Sequence, residues 1–185
     1  MPRPHIFYVM GPSGAGKTRL IDYARRRLDA QLPIAFAHRY ITRPLGKDSE
    51  NYIALSSAEL ALRKSRGLFA CDWEAYGFAY GIGIEIADWI KAGLSVVIDG
   101  SRAHFASRKL DLAPIVPVLV TARSDILRRR LTEREREDLR AIEVRLERAA
   151  AFVPADLSLV TIDNSGAIEA AGGRLVEVLT ETSRI

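Results

Sequence analysis

Cysteine is nearly absent from this chain. Cys71 stands alone among 185 residues, so no internal disulfide can form, and such usage suits a reducing compartment. Long apolar runs are missing too. The first, Ile6 to Met10, stops at Gly11-Pro12 and is too short for a signal-peptide core, and no later run reaches bilayer-crossing length. A cytoplasmic protein without a membrane partner is therefore expected. The chain has no Cys/His metal spacing, no Ser-His or His-Asp pair and no H-R-D-x-x-x-x-N stretch. These absences exclude triad hydrolases, structural zinc modules and the protein-kinase catalytic loop. No repeat, low-complexity tract or linker interrupts the sequence. With 48% apolar and 27% charged residues, it reads as one folded domain over 1–185.

What is present centres on Gly11-Pro12-Ser13-Gly14-Ala15-Gly16-Lys17-Thr18, which fills every fixed position of G-x-x-x-x-G-K-[ST]. Its context is also right, because Ile6 to Met10 reads as a buried strand and Arg19 to Leu28 as a helix. Such a loop curls its backbone N–H groups around an anion, and the helix start behind it adds positive potential. Lys17 is then placed for the β- and γ-phosphates of ATP, and the Thr18 hydroxyl for Mg²⁺.

The remaining pattern alternates. Strands are expected at Ile34 to Ala37, Leu94 to Ile98, Ile115 to Thr121 (interrupted near its start by Pro117) and Leu157 to Ile162. Extended aromatic stretches are expected at Leu68 to Trp73 and Phe78 to Tyr80. Helices are expected from the capping-box spacing at Ser56-Ser57-Ala58-Glu59 through Arg66, and at 84–92, 104–110, 124–136, 138–152 and 166–182. Strands alternating with helices give an α/β fold, a parallel sheet flanked by helices with ligands at the carboxyl ends of its strands.

Asp99 closes one of those strands. It either approaches the metal or acceptor beside the phosphate loop, or forms the turn Asp99-Gly100-Ser101. Arg43 leaves the second strand in a loop, where it is either solvated or a bidentate phosphate ligand. Tyr52 and Tyr80 carry hydroxyls that suit phosphate oxygens, or pack with those hydroxyls at the surface. The net charge is only +4, but arginines cluster from Arg128 to Arg136 and again at Arg145 and Arg148. Phosphoryl transfer needs positive groups around the moving phosphoryl and exclusion of water. An arginine-rich lid over about 124–150, closing Arg130, Arg134 and Arg145 over ATP, is therefore favoured over a merely solvated helix pair. Arg25-Arg26-Arg27 reads as a solvated helix face. A nucleic-acid partner would want a continuous basic surface with stacking aromatics, and none is expected. No general base is evident, which suits an acceptor that is itself a phosphate, since a monoester is mostly dianionic at pH 7.

These residues resemble the guanylate-kinase-like branch of the nucleoside monophosphate kinases. The likeness runs through the Gly-Pro-Ser-Gly-Ala-Gly-Lys loop, Thr42-Arg43, Tyr52 with Ser56, Tyr80-Gly81, and Arg130-Leu131 with Arg134 and Arg145. Two departures stand out. Leu45 lies near the place of the second phosphate-holding arginine of guanylate kinases, and Cys71 falls where they carry a guanine-reading Glu. Within the branch, Arg39-Tyr40-Ile41-Thr42-Arg43-Pro44, Glu50 to Ser56, Tyr80-Gly81-Ile82 and Gly100-Ser101-Arg102 resemble the ribose 1,5-bisphosphate phosphokinases of phosphonate breakdown. That family often has His at the place of Tyr52. The resemblance implies ATP and Mg²⁺, a phosphorylated sugar acceptor, and an acceptor site over about 38–82 with Arg43, Tyr52, Tyr80, Asp99 and Arg102 facing it. Guanylate kinase itself and a non-catalytic binding module of the same fold are the competing expectations.

Overall fold

The structure is a computed structural model that describes residues 3–43, 51–107, 110–133, 143–144, 146–147 and 159–183. Its centre is strand β1 (Ile6–Met10), in which every residue is buried. Alternate side chains serve opposite faces, because successive residues of a strand point to opposite sides. Phe7 and Val9 enter one apolar cluster, while Ile6, Tyr8 and Met10 enter the other. A strand buried on both faces carries no polar alternation, and IFYVM has none.

Around β1 lies a five-stranded, wholly parallel sheet in the order β2-β7-β1-β8-β9. Its other strands are β2 (Ile34–Phe36), β7 (Ser95–Asp99), β8 (Ile115–Thr121) and β9 (Val160–Asp163). Helices α1 (Lys17–Arg27), α5 (Ser124–Thr132) and α6 (Ile168–Thr182) supply Leu20, Ile21, Leu127, Leu175 and Leu179 to the Phe7 face. Each such side chain taken out of water contributes about 1.5–3 kcal/mol. On the other face, α3 (Ile86–Lys91) contributes Ile86, and α4 (Arg102–Ala106) adds Phe105.

A second sheet was not anticipated. Strands β3 (Arg39–Ile41), β4 (Tyr52–Ala54), β5 (Phe69–Ala75) and β6 (Phe78–Gly83) form a four-stranded mixed sheet in the order β4-β3-β6-β5. Strands β5 and β6 are joined by Tyr76-Gly77, both with positive φ, the conformation of a tight hairpin turn. Helix α2 (Ser57–Ser65) follows β4, and its start is capped as the spacing predicts, with Ser56 Oγ accepting from the Glu59 N–H at 3.1 Å.

Other expectations shift in detail. The helix expected at 104–110 is α4, two residues earlier at its start and ending at Ala106. Pro117 does not interrupt β8. Pairing with β9 begins only at Val118, so the missing proline N–H is not needed by that neighbour. The helix expected over 138–152 lies largely outside the described residues. No described helix is long and apolar enough to cross a membrane.

Candidate active site

The loop between β1 and α1 sits at the carboxyl end of the parallel sheet. Helix α1 opens without a side-chain cap and without an acidic residue in its first turn, so its first N–H groups remain available to an anion. Gly14 lets α5 settle onto the loop, since a Cβ there would stand 3.3 Å from Leu131 Cγ. Gly16 has φ +86, and a Cβ on it would stand 2.4 Å from the side chain of Asn164. Lys17 turns back over the loop, donating to the carbonyls of Gly11 at 3.0 Å and Pro12 at 3.2 Å.

Asn164, just past β9, anchors the loop from behind. Its Nδ2 donates to the Ala15 carbonyl at 2.7 Å, and its backbone N–H to Thr121 at 2.8 Å. Its carbonyl in turn accepts from Arg130 Nη2 at 2.9 Å, and Arg130 Nη1 lies 3.5 Å from the Gly14 carbonyl. Burial, with Arg19 and Arg129 nearby, lowers the pKa of Arg130 below that of a free guanidinium. Arg130 thus stands at the phosphate loop. Its neighbours on α5 behave as ion-paired surface residues, Arg128 with Glu143 and Arg129 with Glu133. Arg134 and Arg145 lie outside the described residues. The Asp163-Asn164-Ser165 loop thus uses Asn164 to hold the phosphate loop.

The two sheets meet at Asp99. This carboxylate is 2% exposed and stands level with Val9 on β1, one residue before Met10 and the loop. Its Oδ2 accepts from the Tyr52 hydroxyl at 3.0 Å, lies 3.4 Å from Thr18 Oγ1, and pairs with Arg39 Nη1 at 3.2 Å. Thr18 Oγ1 and the Tyr52 hydroxyl are 2.5 Å apart. Three elements therefore converge: Thr18 from α1, Asp99 from β7, and Arg39 with Tyr52 from the second sheet. Burial and these partners place Asp99 beside the loop. Burial pushes the Tyr52 phenol well above its usual range, Asp99 adds to the rise, and Arg39 and Thr18 oppose it. Tyr52 stays a neutral donor. For Arg39, burial works against the charge, but Asp99, Tyr52 and Tyr80 outweigh it and raise the pKa. Sequence reasoning did not single out Arg39 as a site residue, although it opens the Arg39-to-Pro44 stretch that carries the family resemblance.

Behind this cluster is an aromatic wall. The Arg39 guanidinium lies 4.4 Å from the centre of the Tyr52 ring and 5.3 Å from that of Tyr80. Tyr80 stacks on Trp73 at 5.7 Å and 8°. Arg43, two residues past the end of β3, has a buried Nε with no partner among the described residues. Arg102 opens α4, half-buried, with Tyr76 as its charge neighbour; burial lowers its pKa. Cys71 faces the apolar cluster with Tyr8 and Ile82, and burial pushes its thiol up to about 12. Arg25 corrects the solvated-face expectation. It donates to Asn51 Oδ1 at 2.5 Å and lies over the Phe36 ring at 5.0 Å, tying α1 to the loop before β4.

A cavity of about 530 Å³ opens between α4 and the start of β8, lined by Tyr8, His104, Phe105 and Leu110 among others. None of its lining residues belongs to the phosphate loop or to the Asp99 cluster, so volume and chemistry point to different places. The converging polar groups mark the site. They also suit Mg²⁺. Asp99 Oδ1 is buried with no partner among the described residues, beside the Thr18 hydroxyl, and this ion is normally held by one or two protein oxygens together with phosphate oxygens and water. No group of three or more His, Cys, Asp or Glu that could hold a metal occurs among the described residues, so they offer no all-protein cage.

Among curated proteins, the chain is 49% identical over 178 residues to the ribose 1,5-bisphosphate phosphokinase PhnN of Desulfomicrobium baculatum, spanning 96% of this chain and 95% of that one. It is 42% identical over 185 residues to the protein of the same name from Burkholderia mallei, spanning 100% of each. The chain belongs to the ribose 1,5-bisphosphate phosphokinase family. No protein-family model matches it. Among solved structures, a guanylate kinase from Anaplasma phagocytophilum aligns with a TM-score of 0.71 over 100% of this chain and 88% of that one, at 18% identity. That likeness is one of fold. The fold class and the family expected from the motifs are both borne out.

Proposed function

We propose that this chain is a kinase that transfers the γ-phosphoryl group of Mg·ATP to the 1-phosphate of ribose 1,5-bisphosphate, giving 5-phosphoribosyl 1-diphosphate and ADP. The observation that carries the reading is the convergence of Thr18, Asp99, Tyr52 and Arg39 where the phosphate-loop sheet meets the second sheet. A donor held on the loop and an acceptor held on the second sheet would meet end to end at that junction. Family membership supplies the identity of the acceptor.

In this reading the loop from Gly11 to Thr18 binds the triphosphate, with Lys17 released from its carbonyl partners to the β/γ-phosphates and Arg130 reaching them from α5. Thr18 and Asp99 would hold Mg²⁺, which neutralises charge on the phosphate oxygens when bound. Arg43, Tyr52, Tyr80 and Arg102 form the acceptor side, and Arg134 and Arg145 complete the lid. An oxygen of the acceptor phosphate forms a bond to the γ-phosphorus as the bond to the β–γ bridging oxygen breaks, and ADP leaves with the electron pair. No proton need be removed from a dianionic phosphate, which agrees with a junction whose Tyr52 is a donor rather than a base. The whole chain acts as one kinase domain.

Guanylate kinase shares the fold and is the reading to beat. The test is a coupled assay for ADP, with ribose 1,5-bisphosphate and GMP offered separately to the purified chain. Turnover of the bisphosphate exceeding that of GMP by about a hundredfold in kcat/KM, roughly 2.7 kcal/mol, is expected. Preference for GMP overturns the proposal.

A further inference from the structure

A buried ion pair seldom recovers its desolvation, so the pairing of Arg39 with Asp99 at the junction of the two sheets asks for a use. Three observations converge on one. Arg39 Nη1 is engaged by Asp99, by Oδ2 at 3.2 Å and by the backbone carbonyl at 3.4 Å, while its Nε is buried and has no partner among the described residues. The guanidinium is fixed in place by the Tyr52 and Tyr80 rings, so a ligand would meet it with little further ordering. It also stands on β3, paired on both sides by β4 and β6, a rigid platform rather than a loop.

Location supplies the rest. The attacking oxygen must come within about 3–3.5 Å of the γ-phosphorus, which the proposed site puts over Lys17 and Thr18. The second sheet reaches Thr18 through Tyr52, and Arg39 is the cation it places in that same cluster. Arg43 comes four residues later, past the end of the strand.

We infer that Arg39 binds the attacking phosphate of the acceptor through its Nε edge while its Nη1 keeps Asp99 oriented, a contact additional to Arg43. The inference deepens the function proposed above and rests on it. Guanidinium planarity is essential to the role, because an ammonium can keep the charge but cannot serve Asp99 and a phosphate from one fixed fork.

The experiment uses the full chain with Arg39→Lys and Arg39→Met, checked for folding by thermal melts. Binding of ribose 1,5-bisphosphate and of Mg·ATP is measured separately by calorimetry. Arg39→Lys is expected to weaken acceptor binding by about tenfold or more while ATP affinity stays within about twofold, and Arg39→Met to abolish measurable acceptor binding with ATP retained. Should Arg39→Met fail to fold, the Lys variant alone decides. Acceptor affinity equal to wild type in a folded variant refutes the inference, and so does equal loss for acceptor and ATP, the mark of a merely structural residue. Wild-type protein that does not bind ribose 1,5-bisphosphate removes the parent function and this inference together, an outcome visible before any variant is made.

Discussion

Replacing Asn164 by alanine probes whether the phosphate loop depends on a side chain 149 residues away in sequence. In the native protein the Asn164 Nδ2 is the partner of the Ala15 carbonyl at 2.7 Å, and the residue is only 4% exposed. Alanine leaves the Thr121 and Arg130 contacts intact, because both use the Asn164 backbone. The isolated loss is therefore one buried carbonyl without a donor, costing about 1–3 kcal/mol. Taking about 2 kcal/mol, and roughly 2–4 °C per kcal/mol for a chain of this size, the melting temperature should fall by about 4–8 °C. The loop should also bind less well, since Ala15 lies between two glycines whose backbone is free to move once the tether is gone. A rise of about threefold to thirtyfold in KM for ATP, with acceptor KM unchanged, corresponds to losing about 0.7–2 kcal/mol of loop preorganisation. Thermal melts and initial-rate kinetics measure both. A variant with unchanged melting temperature and unchanged KM for ATP would refute the claim that Asn164 shapes the loop.

Replacing Lys17 by methionine should lower kcat by about a hundredfold or more, the scale of losing one preorganised charge at a developing transition state, with melting within a few degrees of wild type because the lysine donates to carbonyls of its own loop, Gly11 and Pro12. Near-normal turnover would deny Lys17 its role. Stability should also decline in alkali. The Cys71 thiol ordinarily titrates near 9.0 and burial pushes it up to about 12, so between these values the unfolded chain ionises while the native one does not. Stability present below pH 9 is thus lost as pH rises toward 12, by about 1.4 kcal/mol at pH 10. Tyr8 and Tyr52, likewise raised by burial, add loss of the same sign above pH 10. Denaturant titrations at pH 8 and 10 should show the Cys71→Ala protein losing measurably less stability over that interval than wild type; equal losses would contradict the buried-thiol account.

Much of this molecule is legible in its residues. The run from Ile6 to Met10, the glycine-spaced loop and the Ser56 cap are local signals, each decided within a few positions, and each appears where the sequence puts it. Asp99 is legible as a strand end, but not its burial, which depends on Tyr52 and Arg39 arriving from another sheet. The second sheet escaped notice because β3 and β4 are three residues each and pair with distant partners, Arg39 with Ile82 and Tyr40 with Gly81 among them. Three residues are too few for a period to show. Arg25 failed for a related reason. A basic triplet at a helix end reads as a solvated face, and only the fold brings Asn51 to meet one of its members.

The chemistry of the acceptor side follows from which groups this sheet exposes to the junction and which it hides. Cys71 faces the apolar cluster at 5% exposure, and its protonated thiol is a weak donor with little acceptor strength. Reading a purine edge by hydrogen bonds needs an accessible acceptor such as a carboxylate, and this strand position offers none. What β3 presents instead is cationic. Arg39 is locked against Asp99, and Arg43, two residues past the end of the strand, has a buried Nε with no partner among the described residues. The Arg39 guanidinium, set against the Tyr52 and Tyr80 rings with a buried Nε that has no partner among the described residues, suits charge and phosphate geometry rather than the pattern of a base. In the function proposed above, a phosphorylated sugar suits such a site better than an acceptor that has to be read by its base edge.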